Sequence, residues 1–480
     1  MARFLHRDLL VRLLAPLLLI PLLGISTRPH FVERYLQEGN LAEGFGAYQS
    51  AARSIAQVAG YYEWRADLWE KAGLLAIKGN DPQAARRFLD KAAALGSLSL
   101  EAQIAMGDTY LEEGDPSNAI QYWQKAQAEG NAAKIIILNR LVKAHQLEKD
   151  YPAMMEDLKE LIILNPNEAA LYYQLGLILT ATQPESAPAY LEQAAAIDPQ
   201  FSDTANTIRR SINTARLSGE TAYTNILAGR ALASIDEWDL AVEAFQQATL
   251  ARPDYAEAWA FLGEARQHLS PAEEQQTQSL IELEKAYLLD PESLAANSFL
   301  ALYWQRLGQL ELALEYLGNA THLDPSNPAF HLEIGNTLSE MGNLPEAQTA
   351  YQKAIDLAPK DPLYWQALAE FALRHQIQLQ ELALPAALHA YELDPQNPSS
   401  LVTLGKTYYF LEEYDHAQQY LQEALAIDPD FPLAYLHIGL NYLVQGDVQQ
   451  AAQSLYQARE LAPNTAIAEK VDRLLYQYFP

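Results

Sequence analysis

The sequence predicts an all-α fold, a solenoid of stacked helix pairs, and three observations predict it. A small dipeptide, usually Leu-Gly, returns with a period close to 34 residues, and Ala follows it at fixed distances. Large apolar residues fall between these small ones at helical spacing. Pro closes most copies, five times within Asp-Pro, after Asp198, Asp290, Asp324, Asp394 and Asp428. A period of this length marks a stack of identical helical units rather than one globule.

The clearest copy runs from Pro328 to Asp361, with Ile334-Gly335, Ala347, Tyr351, Ala354 and Pro359. Earlier copies carry Ala72-Gly73, Met106-Gly107, Leu175-Gly176, Ala228-Gly229 and Leu262-Gly263. Later ones carry Leu300-Ala301, Leu368-Ala369, Leu404-Gly405 and Ile438-Gly439. A degenerate copy over about 135–168 has Leu141, Met154, Leu158 and Leu161, and a weaker pair over about 29–58 turns at Glu38-Gly39-Asn40. Small residues are required where two helices cross closely, because a larger side chain would pry them apart. Pro cannot continue a helix, so each Asp-Pro reads as a stop signal and not as a catalytic carboxylate.

On these residues the chain resembles the tetratricopeptide-repeat (TPR) family, with about eleven copies covering nearly everything after residue 28. The resemblance implies a right-handed α-α superhelix that binds protein partners, a peptide or helix, in a concave groove. That groove would be lined by the first helix of each repeat. Family members that clamp a peptide carboxylate use Lys, Asn and Arg there. Here Asn336 has Leu332 and Glu370 where the clamp would continue, so the clamp is missing. The Asn ladder of the long arrays attached to glycosyltransferases is missing too: Lys71, Ala105, Arg140, Gln174 and their successors stand in its place.

The domain reading is an N-terminal membrane helix over 1–27, an array arm over 28–201, an inserted spacer helix over 202–221, a second arm over 222–464 and a capping helix over 465–480. Arg3, Arg7 and Arg12 precede the apolar run Leu13–Ile25, which suits either a retained signal-anchor or a cleaved signal peptide. The anchor reading places the chain in a membrane as a single-pass protein, with its N-terminus cytoplasmic and its repeats outside. The cleavage reading makes it a secreted or periplasmic adaptor.

A net charge of −28 argues against a nucleic-acid partner, because an acidic surface repels a phosphate backbone. There is no cysteine, which removes disulfides, thiolate metal sites and cysteine nucleophiles. No zinc-protease, phosphate-loop or serine-hydrolase motif is present, so no catalytic, metal or cofactor-binding residue is expected. Two partner sites are candidates. Val402, Tyr409, Phe410, Leu433, Leu436, Leu440, Leu443 and Val444 form an apolar patch at groove positions, open to a partner unless the C-terminal helix covers it as core. Arg209, Arg210 and Arg216 are either a basic docking point or part of a plain spacer. The function expected is a non-catalytic scaffold or adaptor at the outer face of a membrane. The alternative is an accessory subunit that positions a polysaccharide- or glycan-processing enzyme.

Overall fold

The computed structural model describes residues 30–126, 130–269 and 273–479. Among them there are 26 α-helices and no strand. Contacts divide the chain into two compact units, 1–214 and 215–480.

The first unit opens with the pair His30–Gly44 and Tyr48–Tyr61. Four further pairs follow, beginning at Ala66, Leu100, Asn131 and Ala169, and the helix Ser202–Arg216 begins in this unit. The second unit holds seven pairs, from Thr221–Ala233 with Trp238–Ala251 to Pro432–Gln445 with Val448–Leu461, and then Ala466–Tyr478. The first helix of each pair is called A and the second B. Several successive A helices touch each other, as Ala256–Gln267 does Leu294–Arg306, whereas successive B helices touch less. The A faces are therefore the tighter side of the stack.

The small dipeptide acts as a socket. An added Cβ on Gly107 would lie 2.2 Å from Trp123 Nε1, on Gly73 2.5 Å from Leu89, and on Gly229 2.6 Å from Phe245. No such atom fits, so glycine lets the B-helix side chain sit directly on the A-helix backbone. Trp123 is fixed there by donating from Nε1 to the Ile104 carbonyl at 3.2 Å. The alanines that follow in the period, Ala85, Ala119, Ala241, Ala347, Ala417 and Ala451, are all fully buried.

Copies of unusual length keep their sockets in three different ways. Gly176 receives Leu191, one residue nearer than usual, and a tight 3₁₀ turn over Pro184–Ser186 takes up the missing residue. Gly263 receives Leu283, four residues later than usual. Four residues are about one helical turn, so the same face of Glu273–Leu289 still points inward. The copy from Pro362 carries two extra residues, which cannot make a turn. There the chain passes through left-handed Gln376 and Gln378 into a π turn over Leu379–Ala383. Ala369 and Ala387 share the resulting core.

Two expectations need correction. The opening pair does not turn at Glu38-Gly39-Asn40. Gly39 is a socket, with its absent Cβ 2.9 Å from Ile55, and the turn falls after Gly44 with Gly46 at φ 74°. The single-pass membrane location does not stand either. No helix among the described residues is long and apolar enough to cross a membrane. Ala169–Thr182, an apolar one, has 14 residues. At about 1.5 Å per residue that is roughly 21 Å, short of a core of about 30 Å. The segment 1–27, on which the membrane helix rested, lies outside the described residues.

Candidate functional site

The A-helix faces differ at the two ends of the chain. Near the start, Trp64 stands 70% exposed on the link between the first two pairs. Rings meet edge to face from Phe31 to Tyr61 at 5.1 Å, from Tyr61 to Tyr62 at 4.9 Å and from Tyr62 to Trp64 at 5.5 Å. Such edge-to-face pairs attract one another by about 0.5–1.5 kcal/mol each. Beside Trp64 lies a cleft of about 570 Å³, lined by Glu43, Asp67, Glu70, Lys71, Leu74 and Glu101 among others. Lys71 bridges to Glu43 at 2.9 Å, and Glu70 accepts from the Ser99 backbone N–H at 3.2 Å. The charged side chains are thus braced by neighbouring repeats, while the Trp64 ring is open to solvent.

The candidate apolar patch near the other end is largely occupied by the protein itself. Leu436 packs with Leu455, Val471 and Leu475, and Leu440 and Leu443 join the same cluster. Val471 and Leu475 belong to Ala466–Tyr478, so this helix lies over the patch. Val402 is 3% exposed and packs with Leu421, Ala424 and Ala434. Phe410 leans on Ala372, Leu373 and Ala383. Tyr409 touches the Phe410 ring, and burial pushes its phenol pKa up. Only Leu433 and Val444 of the set remain exposed.

The basic candidate divides as well. Ala205, Ile208 and Ile212 bury one stripe of Ser202–Arg216, leaving Arg209, Arg210 and Arg216 on the exposed side. Arg209 lies 3.7 Å from Glu192 and donates to Asn206 at 2.8 Å.

Polar side chains tie successive A helices together in the second unit. Gln305 donates to Thr337 at 2.7 Å, the Ser339 hydroxyl and His375 Nε2 lie 2.7 Å apart, and Arg306 meets Glu264 at 2.7 Å. This ladder ends in a group that sequence reading did not single out. Glu370 accepts from Thr403 at 2.8 Å through one oxygen and pairs with Lys406 through the other. Burial drives the pKa of His437 well down, and the charges of Lys406 and Lys470 lower it further. Lys470 is itself lowered by burial and by the charges of Lys406 and Arg473. Lys406, His437 and Lys470 stand about one repeat apart, and that spacing was the available signal. For Trp64 the signal was an aromatic run, Tyr61-Tyr62-Glu63-Trp64, at positions the repeat leaves free.

Among the described residues, no group of three or more His, Asp or Glu is placed to hold a metal ion. Profiles described as tetratricopeptide repeat match residues 70–134, 226–269, 305–371 and 402–466, together about half of the chain. A curated relative, anaphase-promoting complex subunit CDC16 of Saccharomyces cerevisiae, is 28% identical over 138 residues. That alignment covers 28% of this chain and only 16% of the relative. Among solved structures, the Cut9–Hcn1 hetero-tetramer of the APC/C matches at 15% identity and a TM-score of 0.39, covering 96% of this chain and 98% of that one. Yeast Tom70 matches at 14% identity and a TM-score of 0.43, covering 93% and 95%.

Proposed function

Since this chain belongs to the tetratricopeptide-repeat family, whose members generally mediate protein–protein interaction, we propose that it is a non-catalytic scaffold that holds a partner segment along its A-helix faces. The observation that carries this reading is the cleft of about 570 Å³ whose wall includes the exposed Trp64 ring, itself edge to face with Tyr62. Rigid, exposed aromatic side chains give contact area at little cost in ordering, and they anchor many protein interfaces. The charged side chains around the ring would fix the register of the bound segment, more through specificity than through affinity.

Affinity isolation with the full chain, compared with Trp64→Glu, tests the reading. Trp64 is 70% exposed, so the variant is expected to keep its fold while a partner captured by the parent is lost or much reduced. Capture of nothing above background by the parent, or identical capture by both, would sink the proposal.

A further inference from the structure

The rings near the start of the chain form a row with a regular step. Phe31, Tyr61 and Trp64 are exposed, and with Tyr62 between the last two each ring lies 4.9–5.5 Å from the next. Tyr61 and Trp64 are therefore no more than about 10 Å apart, and a polyproline II helix rises roughly 9 Å in one turn of three residues. The row ends at the cleft, because Trp64 is also one of its lining residues. Most cations of that lining are already compensated. Arg65 donates to Asp67 at 2.6 Å and Lys71 bridges to Glu43 at 2.9 Å, so Lys78 is the lining cation left without a carboxylate. Glu70 accepts only from the Ser99 backbone N–H, and Glu101 is exposed with no cation paired to it among the described residues. The uncompensated charge of the cleft is thus negative, on a chain whose net charge is −28.

We propose that this row and the cleft at its end bind a proline-rich segment in the polyproline II conformation, with a Lys or Arg beside the prolines entering the cleft. Such a segment is extended before it binds and has no internal hydrogen bonds, so it loses little freedom on docking, and aromatic-lined surfaces are the ones that receive it. Residues one turn apart share an edge of that helix, so Tyr61 and Trp64 can each take a proline of the same edge. An amphipathic α-helix would need an apolar groove, whereas the cleft is lined mainly by charged side chains. The basic side chain is placed by the Glu70 and Glu101 carboxylates, and the face of the Trp64 ring attracts a cation as well. At longer range the acidic body draws a basic segment in. The inference rests on the scaffold reading for its site and goes beyond it in naming what the site takes.

The test is fluorescence anisotropy with the full chain and three labelled peptides: Arg followed by nine prolines, nine prolines alone, and Arg followed by nine alanines. Expected is saturable binding of the first, binding about threefold or more weaker without the Arg, and binding about tenfold or more weaker with alanine in place of proline. Trp64→Ser changes an exposed ring and keeps its melting temperature, while the affinity for the first peptide falls about tenfold or more. The double variant Glu70→Gln/Glu101→Gln keeps the acceptor for Ser99 and brings the Arg-bearing peptide down to the affinity of the prolines alone. No saturable binding of either proline peptide overturns the inference, as does undiminished binding by Trp64→Ser. Equal or better binding of the alanine peptide overturns it too and makes the occupant a helical or plainly basic segment. Equal affinity of the parent for the two proline peptides overturns the placing of the basic side chain. Affinity isolation separates the two readings. A partner captured through Trp64 with no proline peptide bound overturns this inference and leaves the scaffold standing, whereas a bound proline peptide with no partner captured does the reverse.

Discussion

The opening repeats leave an aromatic cluster open, whereas the closing repeats cover part of an apolar patch with an added helix. At the start, Phe31, Phe45, Tyr61 and Trp64 are all exposed, and Trp64 borders an open cleft. At the close, Leu436, with Leu440 and Leu443 beside it, packs under Ala466–Tyr478, whose Val471 is fully buried and Leu475 nearly so. A solenoid leaves its last repeat without a neighbour, and a terminal helix with a polar outer side supplies one. Apolar character at a groove position therefore has two meanings, and the presence of a covering helix decides between them.

The comparison breaks most visibly if the covered residues prove dispensable. Leu436→Glu places a charge in the cluster with Leu455 and Val471 and is expected to cost about 3–5 kcal/mol, with loss of the last repeats in urea titration followed by circular dichroism. Trp64→Glu at the other end should stay within about 0.5 kcal/mol of the parent while losing the partner. Equal stability of the two variants would mean that the patch is not core. A middle-sized effect belongs to the sockets: Gly107→Val should cost about 1–3 kcal/mol, because Trp123 must leave its place above the backbone. A normal melting temperature for that variant would show the packing to be soft.

A smaller effect is set by pH. His437 has a folded pKa well below its ordinary value, so the unfolded chain binds a proton that the folded chain refuses. Stability tied to this residue is present above the unfolded value of about 6.5 and declines as pH falls below it. In His437→Gln that part of the acid sensitivity should vanish, and an unchanged stability–pH curve between about pH 7 and pH 5 would contradict the assignment. The smallest effect is expected from Arg209→Ala with Arg210→Ala, exposed on their helix, which should change stability by about 0.5 kcal/mol or less. A larger loss would give the helix Ser202–Arg216 a structural duty beyond its buried stripe.

Most of the fold was legible because the period carries its own physics. Gly at the socket, Ala at the crossings and Pro at the stop each point to one backbone requirement. What escaped was whatever depends on counting residues against a helical turn. Gly39 looks like a turn residue in isolation, and only its contact with Ile55 shows it to be a socket. The stretch before Leu283 looks like a loop because its residues are polar, yet from Glu273 it continues the helix outward. The apolar patch was legible as apolar. Its cover was legible as amphipathic. That the second lies on the first is a tertiary fact, carried by Leu436 and Val471 together.

The three ways of keeping a socket filled amount to a vernier for the chain. A residue lost is absorbed by tightening to 3₁₀, four gained by adding a turn, and two gained by widening to π, all on the B-helix side. Changes of length in these copies thus fall on the B helices while the A-helix sockets stay filled. Such an array is free to vary its B helices, and whatever is read along its A-helix faces keeps its alphabet spacing.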